Sequence, residues 1–363
     1  MMAAITAALR GHSVTLMEKN AQLGVKLALT GGGRCNLTYA TDADGIIRNA
    51  SGNSSFLHSA LYTFGSSDLM DFFEKRGVPL KSENGKIFPK SDKAGDIVGA
   101  LESAMKEYNI RVLLNYPVGD LSEIKADAVI VSTGGCSYPA TGSTGDGHKW
   151  ARSAGHNVTE LRPALVPLLG TQGSLHLQSL RGLSVPDVRL TMGKHSAVGD
   201  LLFTHNGISG PVVLDMSRYF DGEAIIDFMP HENELDKLLL DEFRIHSNKY
   251  VGNIISRFLP KRLAEFLLDG QGVKAHAFTK EARASLIRAI KHFRFPAAGT
   301  AGFRQAMVTA GGVDLKEINP STMESKKVPG LYFVGEVLDI DAPTGGFNLQ
   351  IAFSTGYTAG NSV

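Results

Sequence analysis

The residues of this 363-residue chain that could do chemistry fall into four short stretches, each rich in glycine or ending on a carboxylate. Glu18 closes an apolar and β-branched run, Val14-Thr15-Leu16-Met17, and Lys19 follows it. A carboxylate at the end of the second strand of a βαβ unit is placed to accept hydrogen bonds from ribose hydroxyls. Thr30-Gly31-Gly32-Gly33-Arg34-Cys35-Asn36 sets three glycines before a fixed cation. Successive N–H groups in such a turn form an anion-binding nest, and Arg34 adds charge to it. Ala126 to Val131 runs as a continuous apolar strand into Ser132-Thr133-Gly134-Gly135, and open α/β sheets bind ligands at the carboxyl ends of such strands. Leu331 to Val334 leads into Gly335-Glu336-Val337-Leu338-Asp339, after which Gly345-Gly346-Phe347-Asn348 opens a helix of small residues. Free N–H groups at a helix N-terminus suit an electron-rich ligand edge.

The elements that must position these residues read as follows. Met1 to Leu9 is an Ala-rich helix ended by Arg10 and Gly11. In a dinucleotide-binding unit the acid lies about 20 residues beyond the glycine loop. Seventeen residues precede Glu18 and none of Met1 to Arg10 is glycine, so the spacing places that loop, and the strand feeding it, before Met1. Residues 54–77 and 92–108 have helical spacing, with a hairpin signal at Glu83-Asn84-Gly85 between them. Arg111 to Leu114 is a strand pattern, and Val118 follows. Gly142 to Gly147 is a second glycine-rich loop opening a helix at His148 to Ala154; it lacks the Lys-Ser/Thr pair of a Walker motif.

From Leu161 the texture changes to short alternating runs broken by prolines, the signature of an antiparallel β unit. His205 inside it has no readable Ser or Asp partner and reads as a structural loop histidine. Residues 232–295 switch to helical periods, with a loop at 269–272. Composition is that of a soluble globular protein: 43% hydrophobic, 20% charged, net charge +1. No basic field points to nucleic acid, and no apolar run approaches the roughly 18 residues of a membrane span. The two cysteines, Cys35 and Cys136, form no C-x-x-C pair, which suits a reducing cytoplasm and argues against a disulfide framework or a metal site.

The order of these signals resembles flavoproteins of the glutathione-reductase type. More closely, the chain resembles a bacterial family of NAD(P)/FAD-dependent oxidoreductases that includes aminoacetone oxidases and a bile-acid-inducible reductase. The residues carrying the resemblance are Gly24-Val25-Lys26 with Thr30 to Asn36, Thr133 to Gly147, Pro163 to Leu168, Phe203 to Pro211, Val308 to Val313 and Gly330 to Gly356. The resemblance implies an α/β fold: a three-layer, Rossmann-like FAD-binding domain from both chain ends (1–160 with 325–363), a β-barrel-like insert (161–231 with 296–324) and a helical subdomain (232–295). It implies Glu18 on the adenosine ribose beside Lys19, and Val118 against adenine. Thr133, Gly134 and Gly135 would lie toward the pyrophosphate, and Gly335, Glu336 and Asp339 along the ribityl chain. Gly346, Phe347 and Asn348 would face the isoalloxazine, with Gly32, Gly33, Arg34 and Asn36 nearby. Family members carry a first strand and glycine loop that this sequence lacks, which implies weakened FAD binding. The expected function is hydride transfer between FAD and a small organic substrate, with NAD(P)H as an electron donor and no nucleic-acid or membrane partner. The alternative is a relative that binds no flavin and is inactive. No catalytic acid or base is readable.

Overall fold

The computed structural model describes residues 1–171, 177–270 and 272–363; Gln271 of the loop read at 269–272 lies outside them. Contacts divide the chain into two units, Met1–Pro163 with Ala306–Val363, and Ala164–Gln305.

In the first unit both chain ends meet. The helix Met2–Leu9 packs against the long C-terminal helix Phe347–Ser362. Small residues on both allow the approach: a Cβ built on Gly360 would stand 2.3 Å from the carbonyl oxygen of Ala3. Strand Thr15–Met17 pairs in parallel with Arg111–Leu113, in register Thr15↔Arg111 to Met17↔Leu113. Strand Leu331–Phe333 pairs in parallel with Val129–Val131, in register Leu331↔Val129 to Phe333↔Val131. The two pairs are separate sheets, and no strand among the described residues pairs with both. Helices flank them: Ala94–Glu107, whose Ile97, Leu101, Ala104 and Met105 recur at helical spacing and are buried, and Asp146–Ser153. The expected hairpin is present as Leu80–Glu83 and Lys86–Pro89, with Thr38–Tyr39 added as a third antiparallel strand. The helical stretch 54–77 breaks at Phe64-Gly65, where the backbone N–H of Gly65 donates to Asp68 at 2.8 Å and starts a second helix, Ser66–Lys75.

The second unit holds a seven-stranded antiparallel sheet. Its order is Phe293–Phe295, Ala224–Asp227, Ser184–Met192, His195–Phe203, Gly207–Ser209, Leu168–Gly170, Ala297–Thr300. The two outermost strands are separated in sequence by Pro296 alone. One residue spans only about 3.5 Å, so the sheet must curl until its edges approach, which makes it barrel-like. His205 is exposed in the turn between two of these strands. No helix of the described residues is long and apolar enough to cross a membrane.

Two boundaries differ from the sequence reading. Residues 306–324, assigned there to the β insert, belong to the first unit, because Val313, Leu315, Ile318 and Met323 are buried in one core with Phe333 and Val337. The helical segment 232–295 has no core of its own. Leu239, Ile254, Leu263 and Ile290 pack into the cluster that also holds Leu190, Phe203 and Ile226 of the sheet.

Candidate functional site

The parallel strands of the first unit empty into the loops that the sequence singled out. Glu18 directly follows Thr15–Met17. Its N–H donates to Leu113 O and its carbonyl accepts from Tyr116 N, both at 2.9 Å, which extends the parallel pairing by one step. Its half-buried carboxylate accepts from Asn20 N at 2.9 Å and keeps a second oxygen beyond that bond. Lys19 turns to the neighbouring loop, where its ammonium reaches Thr144 Oγ1 and Asp146 Oδ2, each at 2.6 Å. Burial favours the neutral form of Asp146, but the hydrogen bonds from Lys19 and Thr144 outweigh it and hold this carboxyl below its usual range. Asn20 Nδ2 donates to Thr141 O at 3.0 Å. The carboxyl ends of Thr15–Met17 and Val129–Val131 are therefore laced together by side chains. Val118 is half-buried, and the carbonyl of Gly119 beside it accepts from Trp150 Nε1 at 3.1 Å.

A polar cluster that sequence reasoning missed lies beneath the Thr133–Gly135 loop. Lys26 Nζ meets Glu336 Oε2 at 2.7 Å and Ser137 Oγ at 2.6 Å. Ser137 Oγ donates to Glu336 Oε1 at 2.6 Å, and Thr309 N donates to the same oxygen at 2.8 Å. Thr309 Oγ1 accepts from the N–H groups of Cys136 and Ser137 at 2.8 and 3.1 Å. Gly135 must be glycine here: its Cβ would stand 2.3 Å from Thr309 Oγ1 and 2.9 Å from Glu336 Oε1. Thr133 sits under the start of the following helix, and Gly134 has φ +71°. Burial, and then the Glu336 carboxylate, push the Cys136 thiol up from its ordinary value. Nothing local in the sequence marks this cluster, since Lys26 and Glu336 lie 310 positions apart.

The residues expected along the ribityl chain and at the ring are placed as follows. Gly335 donates its N–H to Thr355 Oγ1 at 3.0 Å, and Asp339 N donates to Val313 O at 3.0 Å. Gly346, φ +95°, caps the C-terminal helix, and a Cβ there would meet the Thr38 backbone at 2.6 Å. With its amide oriented to satisfy both neighbours, Asn36 donates to Thr38 O at 3.2 Å and accepts from Gly346 N at 3.1 Å. The Thr30–Asn36 turn is thus joined to the Gly346 turn. The side chains of Phe347 and Asn348 are engaged elsewhere. Phe347 is buried and stacks on Tyr39 with centroids 5.1 Å apart. Asn348 closes its own turn on Ala342, accepting from its N–H at 2.9 Å and donating to its carbonyl at 2.6 Å.

Arg34 departs most from expectation. Its guanidinium bonds Asp92 through Nε and Glu83 through Nη2, each at 2.7 Å, and lies 4.2 Å over the Phe88 ring. Hydrogen bonds from Arg34 and Lys81 hold both carboxyls below their usual range. Arg34 pins the turn to the hairpin, and its charge is already neutralised. Gly32 and Gly33 have open space around them, with φ +68° and +88°, so they are glycine for conformation alone.

These features define a Rossmann-type α/β protein with its glycine-lined loops gathered at the carboxyl ends of parallel strands, and with a β-barrel-like insert. The chain belongs to the HI0933-like Rossmann-domain family, whose model matches residues 1–362. It is 34% identical to a ribosomal RNA dihydrouridine synthase of Escherichia coli, covering 96% of this chain and 91% of that protein. The Haemophilus influenzae protein of the same name is 33% identical over 97% of this chain and 93% of its own length. A 3-dehydro-bile acid delta(4,6)-reductase of Clostridium scindens is 31% identical over 96% and 92%. A solved flavocytochrome c3 fumarate reductase aligns with 99% of this chain and 75% of its own at a TM-score of 0.46 and 16% identity.

Proposed function

We propose that this protein is an FAD-dependent oxidoreductase that reduces a carbon–carbon double bond conjugated to a carbonyl group. The observation that carries the reading is the convergence of Glu18, Gly134-Gly135, Glu336 and the Gly346 turn within one unit. Glu18 brings a carboxylate, and Gly134-Gly135 with Glu336 beneath it bring backbone and a second carboxylate, to the carboxyl ends of parallel strands, while the Gly346 turn is joined to Asn36 and Thr38. The residues fit the group. Glu18 would take the adenosine ribose, and the backbone at Gly134 would lie toward the pyrophosphate, with Gly135 behind it seated on Thr309 and Glu336. The first N–H groups of the C-terminal helix would face the electron-rich edge of the ring. FAD, when bound and reduced, supplies the hydride; the chain's part is to hold and orient it. NAD(P)H is the electron donor in this reading.

The choice of a conjugated alkene draws on the relatives. One name describes a dihydrouridine product and another a delta(4,6)-reduction, and both amount to saturation of a double bond near a carbonyl. The substrates differ, one in ribosomal RNA and one a bile acid. For this chain we propose a small conjugated carbonyl compound, in keeping with its near-neutral charge.

The test is to purify the 363-residue protein with FAD, reduce it anaerobically, and follow flavin absorbance on adding 2-cyclohexenone, a 3-keto-4-ene steroid or a uridine-bearing RNA. Reoxidation by a small enone supports the reading. Reoxidation by the RNA alone keeps the chemistry and overturns the small-molecule substrate. Failure to retain FAD, or a reduced flavin that none of the three reoxidises, overturns the proposal and favours the flavin-free alternative.

A further inference from the structure

Among the described residues other than glycine, asparagine and aspartate, positive φ occurs at Cys35, Tyr138, Leu165 and Met323. Left-handed backbone is unfavourable for any residue with a Cβ and is rare for a bulky one. At Cys35, Leu165 and Met323 the side chains are 0%, 5% and 0% exposed, so apolar burial offsets the strain. Tyr138 is 42% exposed and has no such compensation. Its conformation, φ +55° and ψ +58°, is imposed from both sides. Before it, Ser137 is fully buried and fixed by Lys26, Glu336 and Thr309. After it, the Pro139–Thr141 turn returns two hydrogen bonds to the Tyr138 carbonyl, from Thr141 N at 2.9 Å and Thr141 Oγ1 at 2.7 Å. A strained residue held by a buried polar cluster, with its ring thrust outward, is the pattern of a functional position. A second exposed apolar residue has its backbone close by: the carbonyl oxygen of Met307, 47% exposed, lies 3.3 Å from Ser137 Oγ.

We propose that Tyr138 is the substrate-contacting residue of this site. Its ring packs on the flat face of the conjugated carbonyl compound, its hydroxyl donates a hydrogen bond to the carbonyl oxygen, and Met307 contributes apolar surface beside it. The assignment rests on the reductase reading above and adds the residue that recognises the enone. In the balanced step, the two-electron-reduced flavin, when bound, would supply the hydride for the new C–H bond at the β-carbon and be left oxidised. The double-bond electrons move toward oxygen, and a proton from water completes the α-carbon. The phenol keeps its own proton and stabilises the negative charge growing on oxygen, the role of an oxyanion donor. Aromatic and thioether side chains suit the flat, polarisable face of such a compound.

The experiment uses the FAD-loaded chain and whichever of the three compounds reoxidises the wild type. Tyr138→Phe is expected to slow reoxidation at saturation about 100-fold, with the half-saturating concentration nearly unchanged. Met307→Ala is expected to raise that concentration severalfold and leave the saturated rate. A flavin-independent readout accompanies them: Tyr138→Gly removes the strained Cβ, and its melting temperature is expected to rise by about 2 °C. A purely structural Tyr138 would make that variant melt lower, which overturns the assignment. A Tyr138→Phe variant as fast as a competent wild type overturns the assignment alone. A wild type that no compound reoxidises brings down the reductase reading and this assignment with it.

Discussion

The two glycine-rich loops of the first unit look alike in sequence and are built on opposite principles. In Thr30–Asn36, Gly32 and Gly33 stand in open space and are needed for left-handed backbone, Gly31 is crowded only by Asn36 N at 2.9 Å and the Phe88 ring, and Arg34 points to an exposed ion network on the hairpin. In Thr133–Gly147 the backbone is pressed against its surroundings. A Cβ on Gly135 or on Gly147 would stand 2.3 Å from a threonine hydroxyl, and the charges beneath, Lys26 and Glu336, are largely buried. A glycine chosen for its torsion leaves room around it and says little about a ligand. A glycine chosen for space marks a place where the chain must lie close to something. In the second loop that something is the protein itself, Thr309 and Glu336 at Gly135 and Thr133 at Gly147, which holds the loop's backbone in place.

The largest expected effect tests that distinction directly. Gly135→Ala drives a methyl into Thr309 and Glu336, and should cost about 3 kcal/mol. Gly32→Ala meets no atom within 4 Å and should cost about 1 kcal/mol, the torsional penalty alone. Urea unfolding of the two variants measures both. Equal losses would erase the contrast between the loops.

Next is the half-buried pair of Lys26 and Glu336. Lys26→Met leaves Glu336, whose side chain is 19% exposed, facing Ser137 and Thr309 without its cation. The full penalty for a deeply buried orphan charge is about 3–5 kcal/mol; partial exposure reduces this to about 2 kcal/mol. Adding Glu336→Gln should recover most of it in a double-mutant cycle. A loss that the second change does not relieve would mean that Lys26 acts through something other than Glu336.

How much of this was legible in the sequence follows from what is local. The strands Val129–Val131 and Leu331–Phe333 could be read because an apolar run ending in glycine carries its own signal. The hairpin at residues 83–85 and the helix after Gly346 were readable for the same reason. The partners of Arg34 were not: Glu83 and Asp92 lie 49 and 58 positions away, and no periodicity links them to the turn. The Lys26–Glu336 pair was invisible for the same cause. The β insert showed its short alternating strands but not their order, since curling the sheet through Pro296 is a property of pairing. Residues 306–324 were misplaced because texture set the boundary, whereas Ile318 and Met323 are held by the core they enter.

Acid should separate the two loops in a fixed order. Burial lowers the pKa of His148, in the helix after the second loop, against the opposing hydrogen bond to Val337 O. The unfolded chain then takes up the proton first, so stability is complete above 6.5 and falls as pH drops below that value. Glu83 and Asp92 on the hairpin side have lowered pKa values through Arg34 and Lys81. Their contribution is complete above the unfolded carboxylate range and is lost only as pH falls through the lower folded values. Peptide-resolved hydrogen exchange, corrected for intrinsic rates, should show the 146–153 helix loosening as pH falls below 6.5 while the hairpin stays protected. Simultaneous loosening would break the ordering. His156 belongs to the first pattern: it is buried between Glu317 and Ser325 at 2.9 and 2.8 Å, and burial, only partly countered by Glu317, lowers its pKa as well.

The smallest effect is expected at Arg34, and it bears most on the assignment of the two loops. Its ion pairs have side chains 36–42% exposed, where solvent screens a pair and leaves it little net contribution. Arg34→Gln should therefore shift stability little, and FAD retention should stay within about twofold of wild type, because the guanidinium is already neutralised by carboxylates. Lys26→Met, compared in the same equilibrium dialysis, should retain less FAD, because Glu336 and the Ser137 loop lose the cation that positions them. If Arg34→Gln lost the flavin and Lys26→Met kept it, the anion-nest reading of Thr30–Asn36 would have to be restored. The hairpin contacts of Arg34 would then be one of two arrangements between which the side chain exchanges when a ligand arrives.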